Sequence, residues 1–332
     1  MTLEEGVGRI DHVLAPGTLS DADDGFHVPP DDDWWQIETN WVWFFIPERK
    51  LGCWVYHLVR PTMGIDAGSV QVWDDTAWHH TEVPYHRAMT SGRLPDERDL
   101  RDHTFSTGVR WTVLEPLERY RLRFDDGDVC RFDLEWAAIM EPWAPPKGAP
   151  PAITHLDQFG HVTGTFTLHG ESMAVDCFAM RDRSWRITRP ERAGTAFWAA
   201  DFTGGYMTAA ADARTAFFGT RFVVLDGHLS PIVEGEVRRE RNREHGYLDR
   251  IIVTGTDAEG RELEAVGNAV SRMIVPIPGV HAVSVNSLMD YRINGIQAWG
   301  DEQDAWGLAA WAAMRRTQMG LTDVRDTPAD CG

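Results

Sequence analysis

The sequence predicts an all-β protein made of two packed lipocalin-like β-barrel or sandwich units, with one C-terminal helix. Short runs rich in aromatic and β-branched residues recur at regular spacing, roughly sixteen to eighteen times, as is typical of sandwiches and barrels. Turn signals such as Asp226-Gly227 and Asn294-Gly295 separate these runs. Only residues 301–319 have helical composition, with acidic residues at the start and Arg315-Arg316 near the end.

The chain begins with an acidic lead-in, residues 1–33. This segment contains nine acidic residues and one arginine, and we interpret it as a solvated segment that wraps around the fold rather than as a site. It has no apolar signal-peptide core, and nowhere do 18 apolar residues follow one another. We therefore expect a cytoplasmic protein without stable membrane insertion.

Charge narrows the range of partners. The chain has 32 Lys and Arg against 51 Asp and Glu, for a formal net charge of −19. Such a surplus repels nucleic acid and anionic membrane surfaces, so we expect neither as a partner. Exposed strand edges would permit a homodimer.

Residues 34–141 form the predicted N-terminal β domain, which opens with an aromatic hairpin over residues 34–46 and 51–59. Side chains alternate along a strand, so Glu38 lies on the more polar face of the first strand, and Trp41 and Trp43 lie on the other face. The polar face either meets solvent or lines a cavity. Further strand-length runs follow at residues 69–73, 78–83, 108–116, 119–125 and 129–136.

A proline-rich linker, residues 142–151, marks the predicted domain boundary. Five prolines fall within the eleven residues 141–151, and such a segment cannot join a sheet. Beyond it we expect a C-terminal β domain over residues 152–320, which includes the terminal helix, and a loosely held tail over residues 321–332.

Within the second domain, residues 181–190 (RDRSWRITRP) place an acid, several cations and a large aromatic next to an apolar strand. Two interpretations are open. In the first, Asp182 pairs with neighbouring arginines in a structural ion network beneath Trp185. In the second, the rigid strand presents these side chains to a cavity, where Asp182 does chemistry.

Recognisable cofactor chemistry is absent from the sequence. There is no GxGxxG after a strand, no GxxxxGK[ST], GxSxG, HExxH or CxxC, and the four cysteines lack metal-ligand spacing. The adjacent His79 and His80 point to opposite faces of a strand, as do His155 and Gln158. We therefore expect neither a cofactor nor a metal.

The functional groups that remain as candidates for chemistry are carboxylates near aromatic residues, in a chain with 15 Trp. Burial against apolar walls raises the pKa of a carboxyl, which then serves as a general acid, while indole faces stabilise a developing carbocation. This combination suits the addition or removal of water at an isoprenoid-type alkene. The same combination in a sealed cavity would only bind a lipid.

Several segments together resemble a superfamily of carotenoid 1,2-hydratase (hydroxyneurosporene synthase), AttH-like and tocopherol-cyclase-like proteins, in a bacterial branch. The segments are residues 38–40 before the aromatic run, 155–164 (HLDQFGHVTG), 181–185 (RDRSW) and 295–300 (GIQAWG). The resemblance implies paired lipocalin-like units and cofactor-free work on isoprenoids or polycyclic lipids. The hydratase branch is expected to use an Asp-His-x-Trp segment, but Arg183 here replaces the histidine beside Asp182.

These observations favour a cofactor-independent hydro-lyase, a hydratase or dehydratase or a related isomerase or cyclase, for a hydrophobic isoprenoid, terpenoid or steroid-like substrate. The alternatives are a non-catalytic carrier of a hydrophobic small molecule and a purely structural β protein. The candidate catalytic residues are Asp182, Glu38, Arg183 and Tyr291. The candidate substrate-binding residues are Trp41, Trp43, Trp185, Trp299 and His155.

Overall fold

The protein has a nearly all-β fold of two curled antiparallel sheets with a C-terminal helix, so the predicted fold class is confirmed. The computed structural model describes residues 2–4, 8–11, 19–27, 34, 36–77, 79–143, 154–188, 207–210, 216–218, 222–225, 228–276 and 282–320. Residues 144–151 of the proline-rich segment and the tail 321–332 lie outside this description. No helix in the described part of the chain has the length and hydropathy needed to cross a bilayer.

Twenty strands and one α-helix account for most of the described residues. In chain order they are β1 (Thr2–Glu4), β2 (Gly8–Asp11), β3 (Gln36–Ile46), β4 (Leu51–Arg60), β5 (Ile65–Trp73), β6 (Tyr85–Arg93), β7 (Asp102–Thr104), β8 (Arg110–Glu115), β9 (Arg119–Asp126), β10 (Cys130–Ala138), β11 (Thr154–Leu168), β12 (Glu171–Thr188), β13 (Met207–Ala210), β14 (Ala216–Phe218), β15 (Phe222–Leu225), β16 (His228–Asn242), β17 (Leu248–Asp257), β18 (Glu262–Pro276), β19 (Ala282–Ile293), β20 (Ile296–Gly307) and α1 (Leu308–Gln318).

The first sheet runs in the order β6-β5-β4-β3-β12-β11-β10-β9-β8-β7. It curls until the Tyr85 hydroxyl of β6 donates to Asp126 of β9 at 2.7 Å. Strands β10 and β11, on either side of the proline-rich segment, pair directly from Cys130↔Leu168 to Ala138↔Gly160. The chain therefore passes from the first sheet to the second after Thr188, and the domain limits at residues 142–151 remain a prediction.

The second sheet contains the remaining strands. Antiparallel pairing runs from β13 through β14, β15, β16, β17, β18, β19 and β20 and returns to β13, which closes a ring of eight strands. Strands β1 and β2 of the lead-in pair with β16. The lead-in is therefore partly built into the second sheet.

The terminal helix begins later than the sequence predicts. Residues 301–307 belong to β20 and pair with β19, and the helix starts at Leu308. The four consecutive polar residues Asp301, Glu302, Gln303 and Asp304 are buried. A run of acids suits the first turn of a helix, but here it lies in a strand, and two of the acids pair with arginines of β16.

A shared core holds the two sheets together. Every residue of β3 is buried, so this strand is covered on both faces. The main hydrophobic cluster joins aromatic residues of the first sheet, such as Trp43 and Trp54, to Phe222, Met273 and Leu288 of the second. The centre of the first sheet thus has one face inside its own curl and another face against the second sheet.

Candidate active site between the two sheets

Because side chains alternate along β12, its polar residues lie on the two opposite faces of the first sheet. Arg183 lies opposite Asn40 in the ladder with β3, whereas Asp182 lies opposite Trp41. Residues directly opposite each other share a face of a sheet, and successive residues on a strand point to opposite faces. Arg183 and Asp182 therefore belong to different sites, on the inner and outer faces of the first sheet.

The inner face carries a buried ion pair. Arg183 Nη2 donates to Glu38 Oε2 at 2.9 Å, and the two side chains are 2% and 3% exposed. Arg183 also donates to the carbonyl oxygens of Asp23 and of Gly25, the latter at 2.7 Å. Burial lowers the pKa of the Arg183 guanidinium, and the nearby Glu38 opposes that shift. Glu38 is therefore shielded from solvent, and its partner Arg183 holds the lead-in segment in place.

Arg181 anchors the same lead-in segment. Its guanidinium lies 3.6 Å from Asp24 Oδ1 and over the Tyr120 ring at 4.3 Å, and its Nε donates to Gln158 at 2.8 Å. Asp24 is 2% exposed and accepts hydrogen bonds from the Tyr120 hydroxyl at 2.9 Å and from the Leu117 backbone N–H at 2.6 Å. The interpretation of residues 1–33 as solvated is thus wrong for Asp24, because buried arginines require buried acids, whereas Ser20, Asp21 and Ala22 are exposed.

An ion network was predicted, but with Asp182 as its acid. Arg181 and Arg183 pair with Asp24 and Glu38 instead of with Asp182. Trp185 is buried and stacks on the ring of His27 with centroids 4.5 Å apart, while the His27 backbone N–H donates to Glu38 at 2.7 Å.

The inner network leaves little space for a substrate. The cavity beside Glu38 and Arg183 measures about 10 Å³, which is at the lower limit for one water molecule. Glu38, Arg183 and Trp185 therefore form a closed structural cluster on the inner face.

The outer face holds a compact acid–base cluster. His155 and Asp157 of β11 lie opposite Ser184 and Asp182 of β12. His155 Nε2 is 3.1 Å from Asp157 Oδ1, and His155 Nδ1 is 3.7 Å from Asp182 Oδ2 and 2.8 Å from Ser184 Oγ. Each carboxylate side chain is 9% exposed. One imidazole thus lies between two buried carboxylates, an arrangement suited to proton transfer.

The second sheet covers this outer face. Phe159, two residues beyond Asp157 on the same face of β11, contacts Phe222 of β15 with ring centroids 6.2 Å apart. Trp143 contacts the same Phe222 ring at 5.6 Å. Strand β13 also packs against β12, the strand that carries Asp182. The acid–base cluster therefore lies in the interface between the sheets.

Polar groups continue across that interface. The indole N–H groups of Trp43 and Trp54, which are direct ladder partners, are buried and have no hydrogen-bond partner among the described residues. From the second sheet, Asn286 has a buried amide nitrogen without an acceptor in the described part of the chain. Buried polar groups are usually paired, so these donors suit a ligand between the sheets.

Two further predicted residues lie on the second sheet. Tyr291 belongs to the separate hydrophobic cluster inside the ring of strands, and burial together with Glu302 raises its pKa well above the ordinary value. Trp299 is half-buried and packs against the main cluster that joins the sheets. The structure therefore brings Asp182, His155, Trp41 and Trp43 to one face, places Trp299 against the shared core, and does not bring Tyr291, Glu38 or Arg183 to that face.

Asp157 and Ser184 were missed as site residues. The sequence contained a signal for Asp157, because residues two apart on a strand point the same way, and His155 and Asp157 have that spacing. Gln158, the residue with which His155 was paired above, does lie on the other face, where its amide donates to the Leu117 and Met140 carbonyls. Ser184 and Asp182 become neighbours of His155 only through the register of β11 and β12.

The ring of the second sheet encloses its own ion pairs. Arg239 donates to Glu302 at 3.1 Å, and Arg241 donates to Asp304 at 2.7 Å. Burial raises the pKa of Glu302 to about 7, since desolvation outweighs the attraction of Arg239. Arg241 holds the pKa of Asp304 below its ordinary value despite burial.

Glu302 therefore makes stability depend on pH. A carboxyl whose pKa is higher in the folded state contributes stability that is full below its unfolded pKa of about 4.5 and is lost as pH rises towards 7. Glu302→Gln keeps the side chain neutral, so we expect the free energy of unfolding of the wild type, relative to this variant, to fall by about 2–3 kcal/mol between pH 4.5 and pH 8. Urea unfolding across this range measures the difference, and parallel curves would contradict it.

The fold and the site define an all-β protein with two curled sheets and a buried acid–base cluster at their interface. The chain belongs to the family described as Domain of unknown function (DUF7064), whose model matches residues 20–308. No curated protein matches the chain in sequence.

Similar solved structures include an AttH protein from Nitrosomonas europaea, with 15% identity and a TM-score of 0.49 over 90% of this chain and 99% of that chain. Kievitone hydratase from Nectria haematococca is 11% identical, with a TM-score of 0.47 over 88% of this chain and 96% of that chain. CghA is 8% identical, with a TM-score of 0.44 over 91% of this chain and 99% of that chain. At these identities and scores, the likeness carries no information on residue roles.

Proposed function

We propose that the protein is a cofactor-independent hydro-lyase that adds water to, or removes it from, a hydrophobic isoprenoid, terpenoid or steroid-like substrate. The observation that carries the proposal is the position of His155 between the buried carboxylates Asp157 and Asp182, on the face that the second sheet covers. The sequence resemblance to the carotenoid hydratase superfamily supports the same reaction class. Related cyclase or isomerase chemistry would use the same groups.

In the dehydration direction, protonated His155 passes its proton to the substrate hydroxyl, and water leaves. The remaining carbocation is stabilised by the faces of Trp41 and Trp43 on the same side of the sheet. Asp182 then removes a proton from the neighbouring carbon, and the electron pair of that C–H bond forms the alkene. One proton is given and one is taken, so the enzyme returns to its starting state after the proton moves from Asp182 to His155.

Three of the four predicted catalytic residues lose that role in this proposal. Glu38 and Arg183 hold the lead-in instead of contacting substrate, because they lie on the inner face of the first sheet. Tyr291 lies inside the ring of the second sheet and has a structural role. Asp182 keeps its catalytic role, and His155 gains one.

The test begins with native mass spectrometry and solvent extraction of the purified protein, followed by incubation with linear and cyclic terpenoids in H₂¹⁸O. We expect ¹⁸O to be gained or lost by the substrate, and we expect Asp182→Asn to abolish the exchange. Asp176→Asn is the matched control, since Asp176 lies on the same strand and pairs with the half-exposed His161. Exchange that persists in Asp182→Asn would contradict the proposal.

A carrier of hydrophobic small molecules is the second candidate. The donors of Trp43, Trp54 and Asn286 that lack acceptors among the described residues would serve binding as well as catalysis. An extracted lipid that is never chemically changed by the wild-type protein would favour this candidate over the hydro-lyase.

A further inference from the structure

The acid–base cluster also has the ligand set of a metal centre. One ligand atom from each of His155, Asp157 and Asp182 lies within 4.8 Å of the other two. We propose that these three residues bind a divalent transition-metal ion, with Zn²⁺ as the representative ion. The inference goes beyond the proposed hydro-lyase, which needs no metal for turnover.

The spacing of the atoms fits coordination. With metal–ligand bonds of about 2.0–2.2 Å, neighbouring ligand atoms in a tetrahedral site are roughly 3.3–3.6 Å apart, and closer in an octahedral one. His155 Nε2 and Asp157 Oδ1 are 3.1 Å apart. Asp182 lies on the strand beside them, directly opposite Asp157. Small side-chain rotations would bring the three atoms around one ion.

The orientation of the nearest pair supports a shared ligand. Asp157 is 6% exposed, and its Oδ1 atom has no hydrogen bond from any described residue, although His155 Nε2 is only 3.1 Å away. A cation beside both atoms would be bound by Asp157 Oδ1 and by the His155 Nε2 lone pair of the tautomer that carries its proton on Nδ1. A buried carboxylate oxygen without a donor is costly, and a bound ion would remove that cost.

Ser184 supplies the supporting contact. Its hydroxyl lies 2.8 Å from His155 Nδ1, so it can accept the Nδ1 proton and leave the Nε2 lone pair directed towards Asp157. Metal-binding histidines commonly hold their second nitrogen in this way, which fixes the tautomer and the ring orientation.

The donor types select the class of metal. One imidazole nitrogen and two carboxylate oxygens suit Zn²⁺ and neighbouring first-row ions better than Mg²⁺ or Ca²⁺, which prefer oxygen alone. Two carboxylates also balance the charge of a divalent ion. Three protein ligands leave a coordination position for water.

The experiment is calorimetric titration of ZnCl₂ into chelator-treated protein, with Co²⁺ absorption in the visible range as a second readout of coordination. We expect one saturable site in the wild type and a loss of affinity of at least about 100-fold in Asp157→Asn and His155→Ala. His161→Ala is the matched control, because His161 Nε2 lies 2.6 Å from Asp176 on the same strands but outside the cluster. This control should bind like the wild type.

Thermal unfolding with and without ZnCl₂ provides an independent measurement, and we expect the ion to raise the Tm of the wild type but not of Asp157→Asn. The absence of a saturable site in the wild type, or equal binding by Asp157→Asn and the wild type, would overturn the proposal. Binding is measured without substrate, so this outcome is separate from the H₂¹⁸O test of the hydro-lyase. If both proposals hold, the ion occupies the lone pairs used in proton transfer, and ZnCl₂ should inhibit turnover.

Discussion

Replacing His155 by Ala lowers kcat for the proposed reaction by about 10²–10⁴-fold, the usual contribution of a positioned general acid or base. The imidazole lies 3.1 Å from Asp157 and 3.7 Å from Asp182, so its removal takes away the proton donor and the group that accepts the proton back from Asp182. Alanine also removes the group that Ser184 orients at 2.8 Å. Steady-state turnover of the substrate identified by extraction measures the loss.

His161→Ala is the control that distinguishes the loss of a catalytic group from general damage to the structure. His161 is on the same strand and also pairs with an aspartate, but its side chain is 37% exposed. We expect kcat of this variant to remain within about twofold of the wild type, since surface ion pairs contribute little. A His155→Ala protein with wild-type turnover would remove His155 from the mechanism.

Replacing Arg183 by Met reduces the free energy of unfolding by about 3–5 kcal/mol, the cost of leaving one member of a buried ion pair without its partner. Glu38 would lose its 2.9 Å contact, and the carbonyls of Asp23 and Gly25 would lose a donor. Equilibrium urea unfolding gives the value. The lead-in segment 19–27 should also become more sensitive to protease, because Arg183, like Arg181, anchors it.

The double variant tests the origin of that cost. Glu38→Gln combined with Arg183→Met should be less destabilised than the sum of the single variants, because each single change leaves a buried charge that the double change removes. Arg121→Met provides the contrast, since Arg121 pairs with Asp133 at 2.6 Å on an exposed surface. Additive effects at Glu38 and Arg183, or an Arg121→Met loss as large as that of Arg183→Met, would contradict the assigned role.

The fold class was predictable because the sequence signals that mark each strand are local. Aromatic and β-branched residues, alternation and turn residues all act within a few positions. The start of the helix was not predictable, because Asp301 and Glu302 are compatible both with a helix N-terminus and with a buried, ion-paired strand. What decides between them is Arg239 and Arg241 on β16, which pair with Glu302 and Asp304 across the ring. Such pairing depends on contacts more than sixty residues apart in the chain.

The site was only half predictable for a similar reason. Alternation correctly separates Glu38 from Trp41, and Arg183 from Asp182, within each strand. It cannot tell which face of β3 matches which face of β12, because that depends on register. The sequence therefore grouped Glu38 with Asp182, although Arg183 faces Glu38 and Asp182 faces Trp41. Asp24 lies in a segment whose composition is typical of solvent-exposed chain, and its position is explained by Arg181, Tyr120 and the Leu117 backbone N–H, which are distant in the sequence.

The pairing of β3 with β12, two strands far apart in the sequence, also constrains how the chain folds during synthesis. The centre of the first sheet joins residues 145 positions apart, as in the contact of Arg183 with Glu38. A growing chain therefore carries the aromatic hairpin of β3 and β4 with one edge unpaired until residue 188 has left the ribosome. Such long-range closure slows folding and exposes an apolar edge to other chains. Yield of soluble protein should thus depend on how well cells shield that edge.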